Sequence, residues 1–127
     1  MFRGDATSDI LILCDEPMSE DVKRNTLFIS ASWSPLFLEL HKHGIGLLSC
    51  YGQSVWPTPV GFNVVHFTQI KSAAEKLGLL PVEDGFASPA LIERRDAIHK
   101  LPAQHSFRGV LALGDYSTGI MAGYWNV

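Results

Sequence analysis

Two adjacent carboxylates and a proline follow a short apolar run near the start of the chain. The run is Ile10–Cys14 (ILILC), and the corner after it reads Asp15-Glu16-Pro17. Carboxylates can orient water and transfer protons, so this corner could be the floor of a reactive site. The alternatives are that these acids are solvated loop charges, or that Asp15 caps the N-terminus of a helix.

Other patterns of reactive residues point to no further chemistry. Cys14 and Cys50 lack CxxC spacing, so a zinc or iron–sulfur site is not expected. We expect instead that both are buried free thiols. The glycine pair at Gly109 and Gly114 lacks the Lys-Ser/Thr that completes a phosphate-binding loop, and no G-x-S-x-G elbow supports an esterase. We therefore expect neither a cofactor nor a metal.

Strands and helices that would position the corner alternate along the chain. The apolar run fits a central parallel strand covered on both faces, and residues 46–51 and 108–114 are further strand candidates. Cap residues, prolines and apolar spacing predict helices over residues 34–43, 68–77, 88–100 and 116–122. The order predicts an α/β fold, a three-layer α/β/α sandwich with a central mainly parallel sheet.

Two finer features of this pattern bear on the buried core. Ile70, Ala73, Ala74 and Leu77 recur at i, i+3, i+4 and i+7, which predicts one buried helical face. Residues 79–87 contain turn-forming residues and are predicted to be a connector.

The ends of the predicted strands should meet at one rim of the sheet. Ligands of parallel sheets bind outside the carboxyl ends of the strands. We therefore expect the Asp15 corner and Gly114, which ends the third strand, to lie side by side.

Bulk composition fits one globular domain over residues 1–127. The hydrophobic share of 46% is enough for a core, and a net charge of −3 gives no general basic surplus for nucleic acid. The basic pairs Lys23-Arg24 and Arg94-Arg95 are expected on solvated faces. The N-terminus lacks an apolar signal core and no run is long enough to span a membrane, so a cytoplasmic location is predicted.

Several segments together resemble the uracil-DNA glycosylase superfamily. In that family an apolar strand leads to a proline-containing loop, then to a segment ending in phenylalanine and a helix, and a later strand reads approximately "aLG". The matching segments here are residues 10–17, residues 25–28 ending in Phe28, the helix up to Gly44, and residues 110–114 followed by Gly123. Within that superfamily the chain resembles the glycosylase-like domains at the front of some phage DNA polymerases.

The resemblance implies roles for named residues. Asp15, with Glu16 as the less favoured candidate, would be catalytic and orient the water that attacks the N-glycosidic bond. Phe28 would stack on the extruded base, and Pro17 and Gly114 would approach the substrate.

The sequence departs from the family at several places. Cys14 and Met18 stand where the family has glycine, and Ser49, Cys50 and Tyr51 stand where a base-recognising asparagine would end the second strand. The family's histidine, which stabilises the departing base anion, would follow the last helix, so we expect that it is lost or that the domain belongs to a longer or split protein. Substitutes for it would be His66, His99 or His105, each by default a surface or partly buried histidine.

Three functions follow as expectations. The leading one is a degenerate glycosylase-like module for phage DNA replication or repair, associated with DNA, including single-stranded DNA, or with a DNA polymerase. The second is an active glycosylase. The third is a small acidic protein that binds a basic partner. Trp56 and Trp125 either pack under their loops or serve as anchors for a protein partner.

Overall fold

The apolar run before the acid corner is an inner strand of a four-stranded sheet. The computed structural model describes residues 1–4, 8–60, 64–101 and 107–122, with strands and helices numbered here in chain order. Strand β2 (Ile10–Cys14) pairs in parallel with β3 (Cys50–Ser54) on one side and with β7 (Gly109–Leu113) on the other. Strand β1 (Phe2–Arg3) pairs antiparallel with β3 at the edge. A mixed sheet combined with helices confirms the α/β class.

A second sheet was not predicted. It is antiparallel and has the order β4 (Phe67–Thr68), β6 (Gly85–Ala87), β5 (Leu80–Val82). The prediction of a connector over residues 79–87 was therefore wrong. Each strand there has only three residues, too few for a period of two to be visible, and β5 carries Pro81, which sheets tolerate at an edge.

The described helices agree with the prediction in three places. They are α1 (Ser19–Lys23), α2 (Ser34–Lys42), α3 (Lys71–Leu77), α4 (Pro89–His99) and α5 (Asp115–Ala122), with 3-10 turns at Ala31–Trp33 and Leu47–Ser49. Helix α2, α4 and α5 match their predicted positions. Ser88 caps α4 as expected, since its Oγ accepts a hydrogen bond from the Leu91 amide. None of the described helices combines the length and apolar character needed to cross a membrane.

Three predicted details of strand β3 and helix α3 were wrong. Strand β3 starts at Cys50 rather than at residue 46, because residues 47–49 form a 3-10 turn and the polar tail Gly52-Gln53-Ser54 is buried in the sheet. Helix α3 buries only Ala74 fully, and Ile70 and Leu77 are 62% and 51% exposed. Thr68, which was predicted to begin that helix, belongs to strand β4 instead.

Alternate residues of β2 contribute to different hydrophobic clusters. Leu13 belongs to the first cluster, whose buried members include Trp56, Leu91 and Ile120. Ile12 and Cys14 belong to the second cluster, which includes Leu27, Phe28 and Cys50. This alternation is the period of two that places successive strand residues on opposite faces of a sheet.

Candidate functional site

The Asp15 corner lies at the carboxyl ends of β2 and β7, as expected. Cys14 is in register with Leu113, so the chain leaves both strands at the same rim. Oδ1 of Asp15 accepts hydrogen bonds from the backbone amide and the hydroxyl of Ser117, each 2.8 Å long. Asp15 therefore satisfies a donor in the first turn of α5, which is where a carboxylate stabilises a helix.

Gly114 makes room for this carboxylate. Its φ of +112° lies in the region that favours glycine. A Cβ at this position would overlap the carboxylate of Asp15. The residue predicted to approach a substrate thus has a structural role next to the predicted catalytic acid, and its contact with substrate stays a prediction.

Glu16 and Pro17 secure the other side of the corner. Oε2 of Glu16 accepts a hydrogen bond of 2.6 Å from the Val60 amide, which ties the corner to the loop after β3. Pro17 is fully buried. The two acids therefore point to different partners, and each accepts from a donor of the protein.

Phe28 lies in the second cluster and is only 4% exposed. Its ring centroid is 4.9 Å from that of Trp33 and 5.0 Å from that of Phe37. Gly52 of β3 packs against the same ring, where a Cβ would overlap it. The ring is thus covered by protein groups, and its role as a stacking platform stays a prediction.

A buried acid that the sequence did not single out holds the segment that contains Phe28. Asp21 is fully buried, and its carboxylate accepts hydrogen bonds from the amides of Met18 and Ser30 and from Nε1 of Trp33, at 3.0, 2.8 and 2.7 Å. These bonds join α1 to the 3-10 turn at Ala31–Trp33. Asp21 is therefore a structural carboxylate rather than a solvated one.

Three aromatic rings gather beside the corner, and we call Trp56, His66 and Tyr116 the rim aromatic cluster. The centroid of Trp56 is 4.3 Å from that of His66 and 5.6 Å from that of Tyr116. The Trp56 amide donates to the Asp15 carbonyl at 2.9 Å, so the cluster is attached to the corner through the backbone. The Trp56 indole is buried, which supports packing under its loop, and its Nε1 has no hydrogen-bond partner among the described residues.

His66 is held in place by Ser88. Its Nδ1 lies 2.7 Å from Oγ of Ser88, which also accepts from the Leu91 amide. Burial lowers the pKa of His66, which favours the neutral ring. In the tautomer with Nδ1 unprotonated, the Ser88 hydroxyl donates to Nδ1 and Nε2 carries the hydrogen.

Burial and negative charge also act on two weak acids near the corner. Burial raises the pKa of Tyr116, and the carboxylate of Asp15 raises it further. Burial, followed by Asp15 and Asp21, raises the pKa of Cys14 to about 12. The Cys14 thiol is therefore protonated at neutral pH and is a poor nucleophile.

The remaining histidines considered from the sequence lie elsewhere. Nε2 of His99 is 2.6 Å from the Ile120 carbonyl, to which it can donate. His105 and Trp125 lie outside the described residues. Within those residues, no group of three or more His, Cys, Asp or Glu side chains could hold a metal ion.

Three of the five arginines lie beside a carboxylate of the same chain. All five arginines already have an acceptor in the chain: Arg3 the Leu27 carbonyl, Arg24 Glu20, Arg94 the Val55 carbonyl, Arg95 Asp96, and Arg108 Asp9. Three of these acceptors are carboxylates, which would also face an approaching phosphate. Such pairs weaken the local positive potential that phosphate binding needs.

The sequence did not predict that Ser117 and Tyr116 lie close to Asp15, or that His66 lies beside Tyr116. Ser117 had a sequence signal, since a hydroxyl in the first turn of the predicted last helix can share a carboxylate cap. No sequence signal indicated the contact between His66 and Tyr116, because it depends on how the second sheet packs against the first.

Comparison with known proteins leaves the family open. No protein-family model matches the chain, and no curated protein matches it significantly. The resemblance to uracil-DNA glycosylases therefore stays a prediction.

Proposed function

We propose that this chain is a uracil-DNA glycosylase-like module that serves DNA replication or repair without hydrolysing a glycosidic bond. We further propose that it acts by associating with a replication protein such as a DNA polymerase, in the cytoplasm of a phage-infected cell. The three-layer α/β/α arrangement of the family and a single domain over residues 1–127 are part of this proposal.

The use of the corner carboxylates as structural acceptors carries the proposal. A hydrolase of this kind needs a carboxylate that is directed at a water beside the sugar carbon. Here Oδ1 of Asp15 accepts two hydrogen bonds from Ser117 and the carboxylate packs against Gly114, while Glu16 accepts from Val60. Turning Oδ1 of Asp15 toward a water would leave the buried amide and hydroxyl of Ser117 without their acceptor, which costs about 1–3 kcal/mol per group.

Burial of Phe28 supports the same conclusion. An extruded base needs an exposed ring on which to stack. The Phe28 ring is enclosed by Trp33, Phe37 and Gly52. Opening this packing would cost the burial energy of an aromatic side chain, about 2–3 kcal/mol.

Charge favours a protein partner over DNA. The net charge is −3, and three arginines lie beside carboxylates of the same chain. DNA would meet these carboxylates as well as the guanidinium groups, whereas a basic protein surface would be attracted by the surplus of acids.

The hydrolysis claim is tested with a uracil-containing single-stranded oligonucleotide, followed by alkali to cleave abasic sites. We expect no cleavage by the wild-type protein, while a known uracil-DNA glycosylase cleaves the same substrate. Cleavage that is lost in Asp15→Asn and kept in Asp115→Asn would overturn the claim. Asp115 is the matched control because it is an exposed acid at the start of α5, next to the same corner.

The partner claim is tested by gel retardation and co-elution. We expect no retardation of the same oligonucleotide at moderate salt, and co-elution with the DNA polymerase encoded by the same genome that weakens as salt rises. Retardation of DNA that weakens with salt, with no polymerase complex, would instead show a DNA-binding module.

One observation favours an active glycosylase as the second candidate. His66 lies in the rim aromatic cluster, and Tyr116 of that cluster is close enough to Asp15 for its pKa to respond to the carboxylate. A neutral imidazole with Nε2 protonated could donate to a departing base anion. If this is the function, His66→Ala abolishes uracil release while the protein stays folded.

A further inference from the structure

Strand β7 is far more exposed than β2 and β3, the other long strands of the same sheet. Leu11 to Cys14 of β2 and all five residues of β3 are buried, whereas Gly109 and Val110 of β7 are exposed and the next three are half-buried. Within the described residues, β7 is an edge strand paired only with β2. Apolar strands of parallel pairs are normally covered on both sides.

The outer edge of β7 also lacks the usual protection against pairing. Its sequence, Gly-Val-Leu-Ala-Leu, has neither a charge nor a proline, which are the residues that keep edges from joining other strands. The opposite edge of the same sheet, β1, has only two residues and includes Arg3. Edge strand β5 of the second sheet includes Pro81.

We propose that the outer edge of β7 pairs with β7 of a second copy of the chain, antiparallel about a twofold axis through Leu111. This is the register in which all five strand residues have a partner. It places Val110 opposite Ala112 of the second copy and Gly109 opposite Leu113 of the second copy. Four of the five pairs then join a large residue to a small one, and Leu111 faces Leu111 of the second copy on the axis.

Charges at the two ends of β7 fit the same register. Arg108 precedes the strand, and its side chain is 83% exposed with only a 3.5 Å contact to Asp9. Asp115 follows the strand after Gly114 and is exposed. In the proposed register Arg108 lies opposite Gly114 of the second copy and next to Asp115 of the second copy, so two opposite-charge pairs form per dimer.

The first experiment measures mass by sedimentation equilibrium over a concentration series. We expect the mass of the wild-type protein to rise from 14.0 kDa towards twice that value. Val110→Lys places a charge on the edge and should stay at 14.0 kDa. Ile29→Lys is the matched control, because Ile29 and Val110 are each 42% exposed and Ile29 lies outside the sheets. A wild-type mass of 14.0 kDa throughout, or equal effects of both substitutions, would overturn the proposal.

The second experiment separates a twofold dimer from any other association. Arg108→Asp and Asp115→Arg each place like charges together at both ends of the dimer, and we expect each to weaken self-association about tenfold. An equal mixture of the two variants restores both opposite-charge pairs, so its affinity should return towards that of the wild type. A mixture no tighter than either variant alone would exclude the twofold register. Neither experiment involves DNA or uracil, so its outcome is independent of the proposed function.

Discussion

Replacing Asp15 by alanine tests whether the corner acid is structural. The substitution removes the acceptor of two 2.8 Å hydrogen bonds from Ser117, a residue that is fully buried. Hydrogen bonds to a charged acceptor contribute about 1.5–3 kcal/mol each, and a buried donor without a partner costs about 1–3 kcal/mol. Because Asp15 itself is half-buried, we expect the free energy of unfolding to fall by about 2–4 kcal/mol rather than by the full sum.

Asparagine at the same position separates geometry from charge. Asp15→Asn keeps an acceptor oxygen for Ser117 but removes the negative charge at the start of α5. The expected loss is about 1 kcal/mol, since charge-assisted bonds are roughly twice as strong as neutral ones.

The assay is equilibrium unfolding in urea, followed by circular dichroism and by tryptophan fluorescence. Asp115→Ala is the control, because Asp115 is an exposed acid on the first turn of the same helix. Asp115→Ala removes only an interaction with the helix dipole, so the free energy of unfolding should fall by about 0.3–1 kcal/mol. If Asp15→Ala and Asp115→Ala lower the free energy of unfolding equally, the structural role assigned to Asp15 is wrong.

Three further perturbations follow from the same contacts. Gly114→Ala introduces a side chain at a φ of +112° that overlaps the Asp15 carboxylate, so we expect the free energy of unfolding in urea to fall by about 3 kcal/mol. An unchanged urea midpoint would contradict this geometry. Asp21→Ala leaves two amides and the Trp33 indole without their acceptor, so we expect the free energy of unfolding to fall by about 3–5 kcal/mol. A decrease below about 1 kcal/mol would show that water replaces the carboxylate. The pKa of Cys14 rises from 9.0 to about 12, so the folded state keeps a proton that the unfolded chain releases, and stability should fall as pH rises from 9.0 towards 12. The slope from this thiol is at most about 1.4 kcal/mol per pH unit, and a Cys14→Ala variant whose decline is as steep as that of the wild type would refute it.

The corner and its neighbour across the sheet could be predicted from sequence. Ile10–Cys14 is a continuous apolar run that stops at two acids, and residues 108–114 form a similar run that stops at Gly114. Parallel strands place their carboxyl ends at one edge, so strand direction puts Asp15 and Gly114 at the same rim, and the direct pairing of β2 with β7 brings them into contact. Local signals of this kind depend only on residues close in the sequence, so they can be recognised without knowledge of the tertiary structure.

The last three residues of strand β3 and the second sheet could not be predicted in the same way. Gly52, Gln53 and Ser54 have little intrinsic preference for a strand, and they adopt one because β2 supplies hydrogen bonds on one side and Phe28 fills the space that Gly52 leaves. The strands of the second sheet have two or three residues each, and their pairing depends on contacts between segments distant in the chain.

The sequence by itself determined the α/β class, the position of the acid corner and the edge at which it lies. Only the tertiary structure decided what those acids do. Ser117 comes from a helix 102 residues further along the chain and Val60 from a loop 44 residues further along, and no local pattern states that these donors will reach Asp15 and Glu16. A carboxylate becomes a water-orienting base or a structural acceptor according to the donors that folding brings to it.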